Sequence, residues 1–176
     1  MNPISEYITD IILAAVLIIC VYTDLRNRKI YNAVVVPAAL AGMAVHLFFS
    51  GVDGFVFSIK GLAAGMGLLF LPFVLGGFGA GDVKLMGVVG ALKGSVFVFK
   101  AFLATGIIGG VLAVLVLIKQ KRVLSTVKRI GQSFYVLVGS VFKVNTLQSL
   151  DTAEYHESLP YGLAIGIGTL LAYLMG

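Results

Sequence analysis

The chain has 176 residues, 59% of them hydrophobic and only 12% charged, with a formal net charge of +5. A soluble domain of this length cannot hide that much apolar surface. The apolar residues come in long blocks, which marks a protein that crosses a bilayer several times. The positive charge then reads as membrane orientation rather than nucleic-acid binding.

A spanning helix needs about 20 apolar residues. Ile4 to Thr23, Ala33 to Ser50 and Gly61 to Gly77 each supply such a block. Val83 to Leu92 is apolar but short, so it is expected to be short or tilted. Val96 to Ile118 and Leu159 to Met175 complete an all-α bundle of about six transmembrane helices. No basic n-region or natural cleavage site accompanies the first block, which is expected to stay as an anchor. Val123 to Lys143 differs. Val123, Val127, Ile130, Phe134, Leu137, Val138 and Val141 recur at helical spacing among basic and polar residues. This predicts a basic amphipathic helix, lying in the headgroup region or packed on the bundle, within an insertion at about 119–158. The whole chain is read as a single integral-membrane domain, 1–176.

Alternating sides from an outside N-terminus puts Arg26, Arg28, Lys29, Lys84, Lys119, Lys121, Arg122, Lys128, Arg129 and Lys143 on one side; Lys60, Lys93 and Lys100 fall on the other. The positive-inside rule makes the richer side cytoplasmic. Asp24 and Asp82 both fall on that side, each where an apolar block meets a basic, polar stretch. A membrane-edge acid is costly unless hydrated, paired or used. For each acid alone the plain account is pairing: Asp24 with Arg26 or Arg28, Asp82 with Lys84. Jointly they suggest chemistry. Like charges a few ångströms apart resist joint ionisation, so one carboxyl keeps a proton while the other acts as general base. Such a pair hydrolyses a peptide with water as the nucleophile, needing no metal or cofactor.

Gly76, Gly77, Gly79 and Gly81 cluster just before Asp82 and are expected to break the helix there. Other glycines within the blocks serve close helix packing. Cys20, the only cysteine, sits in an apolar run and reads as a packed residue. His46 reads as packed, or as snorkelling to the outer face. Asp53 lies in Gly51-Val52-Asp53-Gly54, a plain turn. Asn32 is a candidate cap for the second span. Glu154, His156 and Glu157 are too loosely spaced for a metal site and read as a solvated loop.

Asp24, followed by Arg26, Ile30 and Asn32, together with Gly79-x-Gly81-Asp82-x-Lys84-Leu85 and two intervening spans, resembles the type IV prepilin peptidase family of membrane aspartic proteases. The resemblance implies removal of a short basic leader from prepilins or prepilin-like proteins at the cytoplasmic face of the inner membrane. It implies Asp24 and Asp82 as the catalytic pair. Gly79, Gly81 and Lys84 form the supporting loop, with Lys84 tuning or pairing with Asp82. Longer members carry a cysteine-rich cytoplasmic domain and methylate the new N-terminus. This chain is similar to the short, peptidase-only form, so neither zinc nor methyltransferase activity is expected.

Two rival readings remain at this level. Presenilin-type intramembrane proteases share Gly-x-Gly-Asp. They place a tyrosine beside the first aspartate, where this chain has Thr23 and Leu25, and of their Pro-Ala-Leu motif only Pro160 survives. A proton or ion transporter would use acids in glycine-broken helices, but no inverted repeat is visible and the acids sit at one edge. The prepilin, the pilus system, the oligomeric state, and which aspartate is base and which is acid are left open by the sequence.

Overall fold

The computed structural model describes residues 3–119 and 161–175. These residues form four helices: α1 (Pro3–Asn27), α2 (Asn32–Val74), α3 (Ala80–Lys119) and α4 (Tyr161–Leu174). No strand occurs among them. α1 to α3 contain stretches long and apolar enough to cross a membrane, and α4 is a shorter apolar helix. The chain divides into two compact units, Met1–Gly109 with Pro160–Gly176, and Gly110–Leu159. The second contributes the last turns of α3. The amphipathic segment 123–143 and the Glu154–His156–Glu157 loop lie outside the described residues.

α2 and α3 are each two helices joined at one glycine. Gly51 takes φ 61° and ψ −146°, and Gly94 takes φ 85° and ψ 174°. A β-carbon forbids this region of backbone space, so glycine is what permits each break. The chain reverses at Gly51. A β-carbon on Gly54 would strike the His46 carbonyl, whereas eight residues span about 12 Å of straight helix. The expected four-residue turn thus shrinks to one residue, with Asp53 already in the following helix. That helix also starts earlier than the expected Gly61.

The buried positions explain the packing. On α2 they are Val35, Ala38, Gly42 and His46, then Gly54, Ser58, Gly61, Gly65 and Leu69. Steps of three and four make one narrow stripe of mostly small residues. Large apolar side chains such as Ile11, Ile18, Phe48, Phe70 and Leu103 point outward, as a lipid surroundings would favour. Small inward residues let backbones approach. A β-carbon on Gly61 would meet the Gly90 carbonyl, and one on Gly65 the Met86 carbonyl. The first half of α3 is buried on nearly every side, from Val83 through Leu92. The short fourth apolar block is therefore the central helix.

Inward polar groups are satisfied locally or across helices. Ser58 Oγ donates to the Ala91 carbonyl at 2.7 Å. His46 Nε2 donates to the Leu92 carbonyl at 3.0 Å, with its ring edge-on to Phe57. His46 is thus packed inside rather than snorkelling. Cys20 is fully buried among apolar residues.

One ionic cluster was not expected. Lys93, at the end of the first half of α3, pairs with Asp10 of α1. The Tyr173 hydroxyl of α4 donates to the same carboxylate, and Lys93 Nζ stands 5.1 Å from the Tyr173 ring centre. Three elements are pinned there by one ion pair and a tyrosine that touches both of its members.

Candidate active site

α1 buries one face: Ser5, Thr9, Leu13, Val16, Leu17, Cys20 and Asp24. Asp24 continues this face by helical period, four residues beyond Cys20. It is therefore carried inward and is 7% exposed. The helix ends directly afterwards. Arg28 adopts φ 54° and donates its N–H to the Asp24 carbonyl at 2.9 Å. A side chain in this left-handed region costs about 1 kcal/mol. The turn holds Arg28, Lys29, Ile30 and Tyr31 beside Asp24.

Asp82 is positioned by the glycine-rich segment, as the expected helix break predicts. α2 ends at Val74 and α3 starts at Ala80. Asp82 then occupies the third position of α3, from which its Oδ2 accepts the Gly79 N–H at 2.9 Å. This is the reaching-back half of a capping box, satisfying a donor that the helix leaves orphaned. Gly81 permits a close approach. A β-carbon there would lie 2.8 Å from the Ile30 side chain, so the two aspartate-bearing turns touch.

Asp24, Arg28, Lys29, Ile30, Tyr31, Asn32, Gly79, Gly81 and Asp82 line one cavity of about 360 Å³. Asp82 is 8% exposed and within range of the charge on Asp24. Arg26 Nη1 donates to the Tyr22 hydroxyl at 2.8 Å, leaving Arg28 as the cation acting on Asp24.

Two expected partnerships are corrected. Lys84 does not pair with Asp82. Its Nζ donates to Asn32 Oδ1 at 2.9 Å, because Lys84 lies on the side of α3 facing the start of α2. Asn32 does not cap α2. Tyr31 holds the cap position with no side-chain cap bond. The Lys84–Asn32 bond instead straps together the starts of α2 and α3, beside the cavity.

Sequence reasoning missed the contribution of α4. Gly162 N–H donates to Asp24 Oδ2 at 2.8 Å. The Tyr161 ring packs at a tilt against Phe78, with centres 4.4 Å apart. Pro160 followed by an apolar run marks a helix start, but only tertiary packing reveals which residue meets it.

A model of the type IV leader peptidase family matches residues 11–114, a span that includes both aspartates. The chain is 27% identical over 175 residues to a prepilin leader peptidase/N-methyltransferase from Bacillus subtilis (strain 168). That alignment takes in 97% of this chain and 57% of the relative, so the chain spans little more than half of the relative's length. No solved structure matches it.

Proposed function

The chain belongs to the type IV leader peptidase family, and from that premise we propose that it is an aspartic endopeptidase of the inner membrane. Its substrates are prepilins or prepilin-like proteins, from which it removes the basic leader at the cytoplasmic face. Asp24 and Asp82 are the catalytic pair. Gly79 and Gly81 shape the loop around Asp82, and Lys84 supports it through Asn32.

One observation carries it: two buried carboxylates from different helices line the same cavity, each held by a glycine N–H. In the proposed reaction the ionised carboxylate removes a proton from water as its oxygen attacks the scissile carbonyl carbon. The protonated carboxyl hydrogen-bonds the carbonyl oxygen as that oxygen gains charge. Collapse of the tetrahedral intermediate breaks the C–N bond, and a carboxyl proton passes to the leaving amine.

Six spans fit the two glycine breaks, with each half of α2 and α3 crossing once. Ten of the 13 lysines and arginines then fall on the side of the aspartates, which supports a cytoplasmic site. A basic leader would arrive from that side.

The test incubates purified protein in detergent with a leader-bearing prepilin and follows its shortening on a gel. Wild type should cleave in the presence of chelators and of serine- and cysteine-directed reagents. Asp24→Asn and Asp82→Asn should each stop cleavage. Full activity in either variant removes that residue from the mechanism.

A further inference from the structure

Building on the peptidase reading, we infer that the first turn of α4 divides the labour between the two aspartates: Gly162 is a positioning residue that holds Asp24 as the ionised base and leaves Asp82 as the proton-carrying acid.

Burial pushes both carboxyls above the ordinary carboxylate range, and the two are nearly equal in exposure but not in the groups that offset this. Asp24 Oδ2 accepts the Gly162 N–H at 2.8 Å, with the Leu163 N–H beside it and the Arg28 guanidinium acting on it. The two N–H groups belong to the start of α4, where donors lack helical partners and the helix dipole presents its positive end. Donors and a cation all favour the charged form of a carboxyl group. Asp82 accepts the Gly79 N–H and sits in the first turn of its own helix. The charge acting on it is that of Asp24, which has the same sign. Lys84, the nearest cation along its own helix, donates to Asn32 instead. When two such groups share one proton, it resides on the less stabilised carboxylate.

The other titratable and charged groups around Asp24 do not reverse this order. Cys20 is on its own helix; Arg28, Lys29 and Tyr31 come from the following turn; Asp82 comes from α3 and Tyr161 from α4. The cations among them all stand on the Asp24 turn.

Glycine is needed at 162 for space. A β-carbon there would lie 2.8 Å from Asp24 Oδ2 and 3.0 Å from its Cβ and Cγ. The carboxylate would have to move off its donors. Tyr161, next in the chain, packs on Phe78, which directly precedes the glycine that holds Asp82. Two consecutive residues of α4 therefore touch the supports of both acids.

The pH dependence of kcat/KM for prepilin cleavage tests this. In a bell-shaped profile the acidic limb reports the base and the alkaline limb the acid. Gly162→Ala should move the acidic limb up by about one pH unit, a tenfold loss on that limb, and leave the alkaline limb in place. Arg28→Met, which leaves α4 untouched, should shift the same limb in the same direction. A folded Gly162→Ala enzyme with an unmoved acidic limb overturns the role of α4. Movement of the alkaline limb in either variant overturns the assignment of Asp24 as base. If Gly162→Ala does not fold, Arg28→Met still decides that assignment. A wild-type protein that cleaves no prepilin, or an Asp→Asn variant that still does, defeats the peptidase reading before any limbs are compared.

Discussion

Helices α1, α3 and α4 meet at two levels, and the levels differ in how charge is treated. At one, Lys93 neutralises Asp10, and the Tyr173 hydroxyl donates to the same carboxylate. At the other, Asp24 and Asp82 line one cavity, and each accepts a glycine N–H. Asp10 and Asp24 are separated by about 21 Å along α1. The same three elements thus form a clamp at one level and gather two acids around one cavity at the other. A matched ion pair fixes geometry, because separating it leaves an uncompensated charge. Two carboxyls that share a site resist joint ionisation, so an acid and a base can stand side by side.

The contrast can be broken most severely at the acid level. Asp24→Asn or Asp82→Asn should each lower the rate of prepilin cleavage at least about a hundredfold. Helix content by circular dichroism and detergent-solubilised size should stay unchanged, since Asn can still accept the glycine N–H. Loss of folding along with activity would move these residues to the structural side of the comparison.

The clamp should respond in the opposite way. Lys93→Ala leaves Asp10 without its cation and should cost about 2–3 kcal/mol, less than a wholly buried pair because Asp10 is partly exposed. Thermal unfolding would record this, with activity per folded molecule within about twofold of wild type. Adding Asp10→Asn should recover part of the loss by removing the stranded charge. If Lys93→Ala kept its stability but lost cleavage, the two levels would not be separate in function.

Between the levels the backbones touch at Gly61 and Gly90. Gly61→Val should force them apart and destabilise the fold by about 2 kcal/mol, also read in the melting curve. The smallest effect is expected at the strap beside the cavity. Lys84→Met removes the exposed bond to Asn32 and should cost about 1 kcal/mol, seen as a roughly fivefold fall in kcat/KM. Asn32→Ala should give the same fall, and the double variant no further one.

Much of the helical framework was legible because its signals are local. Long apolar blocks, the glycine cluster before Asp82 and the small-residue spacing each act over a few turns of chain. Asp24 itself lies on the same helical face as Leu13, Leu17 and Cys20, so its inward direction can be read from the period alone. Asp10 stands within the same block, but nothing local marks Lys93 as its partner. The Lys84 expectation failed for a similar reason. Two residues of separation suggested Asp82, whereas helical geometry turns Lys84 toward Asn32, 52 residues away.

The sequence by itself determined a membrane-class helical chain carrying two acids at helix boundaries, since hydropathy and backbone propensity are properties of neighbouring residues. The tertiary structure alone decided that the acids share a cavity, that Gly162 reaches Asp24, and that Asp10 is neutralised by Lys93. Those facts depend on side chains and N–H groups converging from helices far apart in the chain. Their positions follow from how small-residue stripes pack, which no single stretch of sequence encodes.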